Sequence, residues 1–359
     1  MQQIILLVAM TLILTACGGS SSEEPTTPPP PPVSDKVSTI LSGSQTVERF
    51  YLDGDAQLAG TTTGLFWRAD ANSDWQNRSP EDSGVADIVV LGSGQYIIAM
   101  TPTEGTENSE AHPLYRTSDS GQTWDRISHN FGGEFFSVIR SLTYDISTDS
   151  IYAVSLGALA KADSSAENWT LLDGDWSTFA TGLRLLEYNH AKQAIWFGGQ
   201  GAIENGYLKR FNIADDSVVR WDDLLPNPHS FMGGLIHPHE PNTVMFGGEG
   251  GIAISYDHGA SWERPLGDVN HRFYWDIVID SAGVLYTAGW DKGGSEQPLI
   301  IECSSDNGYS WKSHHFGNEV SRGGVKSLSL VEHEDETMLY LGLEANGIKA
   351  ISTDDLECP

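Results

Sequence analysis

The sequence predicts an all-β fold of seven consecutive repeats, each a four-stranded sheet, and three observations lead there. A short pattern recurs with its spacing intact. Worn copies of the same pattern complete a regular period along the chain. Between them lie short runs of β-type residues with no helical periodicity.

The intact copies read Thr117-Ser118-Asp119-Ser120-Gly121-Gln122-Thr123-Trp124, Ser255-Tyr256-Asp257-His258-Gly259-Ala260-Ser261-Trp262 and Ser304-Ser305-Asp306-Asn307-Gly308-Tyr309-Ser310-Trp311. At that spacing the Asp and the hydroxyls can bond backbone N–H groups inside a tight turn, and the Gly takes the positive φ that closes a hairpin. The Trp is expected to pack back over the apolar side of the hairpin. A worn copy, Arg68-Ala69-Asp70-Ala71-Asn72-Ser73-Asp74-Trp75, has Asn at the Gly position, another residue that tolerates positive φ. Asp163 runs on to Trp169, Asp215 leads to Trp221, and Asp354 stands near the C-terminus. The aspartates at 70, 119, 163, 215, 257, 306 and 354 are about 47 residues apart on average, the size of a four-stranded repeat.

An apolar run ending in small residues precedes each of six boxes in the same phase, at 96–100, 151–154, 194–198, 243–247, 284–288 and 338–342. Rich in Val, Ile, Tyr and Phe and bounded by Gly, Asp and Asn, these runs read as strands. The last repeat lacks room for a fourth strand. Residues 36–42, with alternating Val37, Thr39 and Leu41, are expected to supply it, closing the ring and removing an exposed edge.

The eight-residue pattern resembles the Asp-box, or bacterial neuraminidase repeat, of sialidase-like β-propellers within the WD40/YVTN/BNR-like group. The resemblance implies a seven-bladed β-propeller over 36–359 and a structural role for Asp119, Gly121, Trp124, Asp257, Gly259, Trp262, Asp306, Gly308 and Trp311. It also implies that the boxes face away from the ligand-binding mouth. It covers nearly all of the chain beyond the N-terminal 35 residues.

Residues 1–17 read as a targeting segment. An apolar core too short for a stable span ends in Leu14-Thr15-Ala16-Cys17, followed by Gly18, and resembles the lipobox of bacterial lipoproteins, although Met1-Gln2-Gln3 carries no basic residue. The resemblance implies lipidation at Cys17, and Gly18 implies sorting to the bacterial outer membrane, on its periplasmic or outer side. The 18–35 segment includes five consecutive prolines, Pro28 to Pro32, and reads as an extended tether unable to bury a core.

Twenty basic against 49 acidic residues give a formal charge of −29. That balance argues against nucleic acid or an anionic lipid surface as partner. It leaves a cationic ligand, a divalent metal or a neutral glycan compatible. The partner expected is a glycan or a protein, with membrane contact through the lipid anchor alone and the chain a monomer. Cys303 and Cys358 form an even pair in a chain expected to be exported, which makes them the candidate disulfide. No cofactor is called for. The histidine pairs His237-Pro238-His239 and His314-His315 match no metal-ligand spacing, so no metal site is expected.

Functional residues are expected in loops at one mouth of the central channel, those entering each inner strand (131–136, 175–182, 227–234, 268–276, 316–324) and those joining second and third strands (101–113, 198–207, 247–251, 288–298, 344–347). The candidate ligand-binding residues there are Trp176, Phe231, His271, Arg272, Tyr274, Trp275, Trp290 and Arg322. Aromatic rings stack on sugars, and charged groups orient hydroxyls or supply acid and base. Glu249, Asp291, Glu134 and Glu344 are candidate catalytic carboxylates, with Glu204 and Glu319 nearby, but nothing in the sequence identifies a pair. True sialidases add an Arg-Ile/Leu-Pro motif, three convergent arginines and a Tyr/Glu couple. The first is missing here, and Arg140, Arg184, Arg272 and Arg322 imitate only part of the second.

The leading expectation is therefore an anchored propeller that binds a glycan or a protein partner without catalysis. The alternatives are a carbohydrate-active enzyme, a glycoside hydrolase or a lyase of sialidase-like type, and a periplasmic assembly factor for a membrane complex.

Overall fold

The computed structural model describes residues 36–101, 113–135, 137–176, 182–200, 206–225, 230–291, 297–333 and 336–359. Cys17, its lipobox, the proline tether and Glu204 lie outside the described residues, as do parts of several of the expected mouth loops.

The fold is an all-β propeller. The chain opens with β1 (Val37–Leu41), then forms a sheet from β2 (Val47–Asp53), β3 (Ala56–Thr61), β4 (Gly64–Arg68) and β5 (Gln76–Asn77). The same antiparallel meander follows in β6 (Val85–Gly92), β7 (Gln95–Met100), β8 (Leu114–Thr117) and β9 (Asp125–Ile127). It recurs in β10 (Ser141–Asp145), β11 (Ser150–Val154), β12 (Ala158–Asp163) and β13 (Thr170–Gly174), and again in β14 (Gly182–Asn189), β15 (Ala194–Gln200), β16 (Gly206–Asn212) and β17 (Ser217–Asp222). Next come β18 (Phe231–Ile236), β19 (Val244–Ser255), β20 (Val269–Ile279), β21 (Leu285–Asp291), β22 (Ile300–Ser304) and β23 (Lys312–His315), then β24 (Val325–His333), β25 (Glu336–Leu343) and β26 (Ile348–Ser352). Strand β1 pairs antiparallel with β26 through Val37↔Ile351 and Ser38↔Ala350, so the last sheet has the order β1-β26-β25-β24.

The blade count differs from expectation. Six hydrogen-bonded sheets are present among the described residues, not seven, and one of them has six strands in the order β18-β19-β20-β21-β22-β23. Residues 247–251, read from sequence as a strand-end turn, are the interior of one twelve-residue strand, Val244–Ser255. The physical reason is the run Gly247-Gly248-Glu249-Gly250-Gly251. Gly250 and Gly251 take φ of +97° and +142°, so the backbone bends without breaking and pairs onward through Glu249↔Phe273 and Gly250↔Val269. The segment 268–276, expected as a loop, is likewise most of strand β20.

The innermost strands succeed one another around a common axis. β2 packs against β6, β6 against β10, β10 against β14, β14 against β18, β18 against β20, β20 against β24, and β24 against β2. The core consists of apolar layers between neighbouring sheets, such as Leu58 and Leu65 with Ile88, Tyr96 and Ile98, or Tyr286 and Ile301 with Leu339 and Ile351. A single sheet of this length cannot cover its own two faces, so each depends on its neighbours.

The three intact boxes share one geometry. In the first, Thr123 donates its N–H (2.9 Å) and hydroxyl (2.6 Å) to Asp119, and the Gly121 N–H donates to Thr117 Oγ1 (3.0 Å). Asp257 with Ser261 and Asp306 with Ser310 repeat it within about 0.2 Å. The residue before each Gly is also left-handed, with φ of +59° to +61° at Ser120, His258 and Asn307. The indole N–H of Trp311 stays with its own box, donating to Gly308 O (2.9 Å), but the first Trp reaches further. Trp124 donates to Arg78 O (2.8 Å) and joins the layer of Leu58 and Leu65, residues of the preceding sheet. The box thus also joins neighbouring sheets. A disulfide links Cys303 in β22 to Cys358 in the C-terminal segment.

Candidate functional site: the mouth of the central channel

Six of the inner strands carry a register shift near their start: Val47/Arg49, Val85/Asp87, Leu183/Leu185, Phe231/Gly233, Tyr274/Ile277 and Val325/Ser327. A bulge leaves one residue out of the pairing and re-aims its side chain. At these six shifts stands a repeated couplet, a buried apolar residue followed by a half-buried one: Val47-Glu48, Val85-Ala86, Leu183-Arg184, Phe231-Met232, Tyr274-Trp275 and Val325-Lys326; Ile139-Arg140, just ahead of β10, repeats it without a shift. The second members form a ring at the start of the channel. One step further in stand Arg49, Asp87, Ser141, Gly233, Asp276 and Ser327, which all line a cavity of about 180 Å³ on the axis together with Tyr51, Glu187 and Trp275.

The outer ring is rich in cations. Arg184 Nη2 lies 2.7 Å from Glu48 Oε2, and Lys326 Nζ lies 3.4 Å from Glu48 Oε1. Burial would raise the Glu48 pKa, but these two cations outweigh it and hold the carboxyl at about 2. Arg184 and Lys326 also sit 4.5 Å and 4.9 Å over the ring of Trp275. Burial lowers the pKa of Arg184, and the neighbouring Arg49 and Arg140 lower it further.

Deeper in, acids dominate. Asp87 accepts from Tyr51 OH (2.7 Å), its neighbour's Ile88 N–H (2.8 Å) and Leu142 N–H of the next inner strand (2.7 Å). Asp276 repeats the arrangement with Ile277 (2.9 Å) and Leu328 (2.8 Å), so each aspartate ties two inner strands together. Arg49 lies 3.4 Å from Asp87. Burial pushes Asp276 up to about 6 and, with the nearby Asp276 and Asp87 charges, pushes Glu187 up to about 8. Glu187 lines the cavity and has no ion pair among the described residues; Arg49 favours its charged form, but burial and the two acids prevail.

Beside the axis, a cavity of about 260 Å³ is lined by Thr46, Trp290, Gln297, Arg322, Gly324, Glu344 and Ala345. The two cavities meet at an indole pair. Trp275 lines the axial one, Trp290 the lateral one, and their rings stack at 5.6 Å and 27°. The expected residues Trp275, Trp290, Arg322 and Glu344 are therefore brought together at one mouth. A larger depression of about 620 Å³ is lined by Asp55, Asp70, Asp280 and Glu332 with no basic residue; it sits at the opposite ends of the inner strands and holds none of the expected site residues.

Other expected residues stand elsewhere. Phe231 is fully buried in the core, and Trp176 packs edge-on against Phe131 at 4.7 Å. Arg272 is committed to Asp291 (3.0 Å) and Glu302 (3.1 Å). Tyr274 donates to Glu302 (3.0 Å), a tyrosine–glutamate pair of the kind a sialidase needs, but both residues are buried and neither lines the three cavities. His271 is exposed on β20, and Glu319 accepts from the Val37 N–H (3.2 Å). Of the candidate carboxylates, Glu249 is buried within β19, Glu134 is exposed on a short 3-10 turn, Asp291 is paired with Arg272, and Glu344 alone lines the mouth. None of the three cavities holds two of them.

Loop reasoning missed Glu48, Arg49, Asp87, Arg184, Glu187, Asp276 and Lys326 as one group. The signal that would have found them is the apolar–variable couplet and the residue after it, read down the successive inner strands.

No family model and no curated protein matches the sequence. Among solved structures, the chain is similar to an ancestral GH74 enzyme (TM-score 0.65, 12% identity, covering 89% of this chain and 49% of that one). It is also similar to a chain of the mitotic checkpoint complex (TM-score 0.63, 11%, 94% and 99%) and to the WD40 repeats of RRP9 (TM-score 0.58, 9%, 89% and 98%). At these identities the likeness establishes the propeller fold alone. The chain spans about half the length of the GH74 enzyme. No helix among the described residues is long and apolar enough to cross a membrane.

Proposed function

We propose that this protein is an exported, lipid-anchored propeller that binds a glycan or a protein partner at the channel mouth and performs no reaction there. The observation that carries the reading is the pair of neighbouring cavities, with the Trp275–Trp290 stack between them and cations on both sides. Such a mouth combines apolar surface with a few convergent polar groups, the usual make-up of a ligand site. The scattered candidate carboxylates support binding over turnover. In this reading the boxes belong to the sialidase-like repeat class. Anchoring at the outer membrane follows from the Cys17 lipobox in the sequence.

The test is binding of the full chain to a glycan array, with Trp290→Ala as the comparison. Array binding that Trp290→Ala abolishes supports the reading; binding that survives unchanged places the site elsewhere.

One observation favours an enzyme as the second reading. Glu187, held protonated near neutral pH inside a solvent-reachable cavity, has the properties of a general acid. Reducing-end release from a polysaccharide that disappears in Glu187→Gln would establish that reading and overturn the first.

A further inference from the structure

We propose that the face of the propeller opposite the mouth carries a second site, which takes a basic, partly apolar peptide segment of a partner protein in the depression between the ends of three successive inner strands. It shares no lining residue with the two cavities of the mouth and stands whether or not a ligand binds there.

The depression, of about 620 Å³, lies where β20, β24 and β2 end, inner strands that pack one against the next. Its wall is acidic. Asp55, Asp70, Asp280 and Glu332 line it, and none of the four has an ion pair among the described residues. Carboxylates alone would make only a solvated rim; a buried donor beside them makes a site. Gln57 lines the same depression yet is only 1% exposed. Arg68 donates to Gln57 Oε1 through Nε (2.9 Å) and Nη2 (2.6 Å), which fixes the orientation of the amide, and Gln57 Nε2 makes no hydrogen bond among the described residues. A buried donor without an acceptor carries a desolvation penalty that a ligand's carbonyl oxygen removes. The remaining surface is apolar, with Ile279, Leu330 and Leu52, the last exposed in spite of its size.

These three features together select the ligand. No group of three or more His, Cys, Asp or Glu among the described residues could hold a metal ion, so the carboxylates suit cations spaced along a chain rather than one compact ion. A polyamine supplies spaced cations, but once protonated it has no acceptor for Gln57 Nε2. A peptide supplies both. Its carbonyl oxygen accepts from the amide, aliphatic side chains and Lys stems cover Leu52, Ile279 and Leu330, and the cationic heads reach the carboxylates. A saccharide finds no aromatic platform among the lining residues. A second copy of this chain, with its formal charge of −29, is repelled by the same wall, so the partner is a different protein with a basic segment.

The experiment is fluorescence anisotropy on the full chain with a labelled, end-blocked peptide of alternating Lys and Leu, its Glu–Leu counterpart, and spermidine as competitor. The expected result is saturable binding of the Lys–Leu peptide, none of the Glu–Leu one, and about a tenfold loss in the double variant Asp55→Asn/Glu332→Gln, whose two positions are exposed and without ion pairs. Asp82→Asn/Asp125→Asn removes the same charge from exposed positions outside the depression and should leave the affinity within about twofold of the unaltered chain's. Equal losses in the two double variants mean that the acidic surface attracts the peptide everywhere, and they overturn the proposal, as does no binding at all. Gln57→Glu separates a built site from charge alone, because it keeps an oxygen for Arg68 while exchanging the Nε2 donor for an acceptor that bears negative charge. At the proposed site it weakens binding about tenfold; tighter binding means that charge alone holds the peptide, and the site falls. If Gln57→Glu fails to fold, spermidine draws the same distinction, since competition as tight as the peptide's own binding leaves no role for a carbonyl acceptor. Trp290→Ala, the variant that tests the mouth, should leave peptide binding unchanged. Peptide binding lost in Trp290→Ala moves the peptide to the mouth and overturns the second site, whereas glycan binding lost there with peptide binding intact supports both.

Discussion

At the scale of single residues, the box glycines answer to two demands at once. Gly259 has φ of +91°, and a Cβ placed there would lie 2.7 Å from Trp221 and 2.9 Å from Trp196, rings of the preceding sheet. Positive φ alone would allow Asn, but the contact with two indoles forbids any side chain. Gly259→Ala should lower unfolding stability by about 2–3 kcal/mol, measured by urea denaturation. A change below about 0.5 kcal/mol would show that the indoles yield freely. Glu187 offers a second residue-scale prediction. Its folded pKa is about 8 against an ordinary 4.5, so between these values the unfolded chain releases a proton that the folded chain keeps. Stability therefore falls as pH rises from about 4.5 to about 8 and is flat with respect to this group above that. Glu187→Gln should leave stability unchanged at pH 4 and raise it at pH 7 by on the order of 3 kcal/mol. Melting curves across that range check it, and a gain present equally at pH 4 would point to packing instead.

At the scale of elements, the strand that needs most explanation is β1. It lies more than 300 residues in sequence from its partner β26, with Ser38 paired to Ala350, and it covers the outer edge that β26 would otherwise present. Deleting 36–42 should expose β26, whose Ile348, Ala350 and Ile351 are buried, and should yield concentration-dependent association by light scattering. A monomer of unchanged stability would mean that the edge needs no cover. The alternation Val37, Thr39, Leu41 made this strand legible from sequence, as did the apolar runs that became β7, β11, β15, β21 and β25. The merged six-stranded sheet was not legible. Gly-Gly on either side of Glu249 reads as a turn by residue type, and only the register with β20 makes it a continuous strand. The channel ring was hidden for a related reason. Arg184 and Lys326 each sit beside a buried apolar residue in an inner strand, where polar alternation reads as one solvated face; the bulges turn that face to the axis.

At the scale of the whole molecule, the charge distribution sets how an anionic ligand would approach. The formal charge is −29, yet the channel mouth gathers four basic residues around Glu48. A small anion diffusing inward first meets a repulsive field and only within the mouth an attractive one. The two fields differ in range. Salt shortens the Debye length from about 30 Å at 0.01 M to about 8 Å at 0.15 M, which removes the long-range repulsion of the surface but reaches the partly buried ring far less. Adding salt over that interval should therefore increase the rate at which iodide quenches the indoles of the mouth, opposite to the usual behaviour of a charged solute steered to its site. Stern–Volmer quenching of tryptophan fluorescence by a fixed low concentration of iodide, compared between the unaltered chain and Trp290→Phe, measures that rate at the mouth. A rate that falls with salt would mean that the cationic ring already governs the approach, and that the acidic surface is too dispersed to repel the ligand.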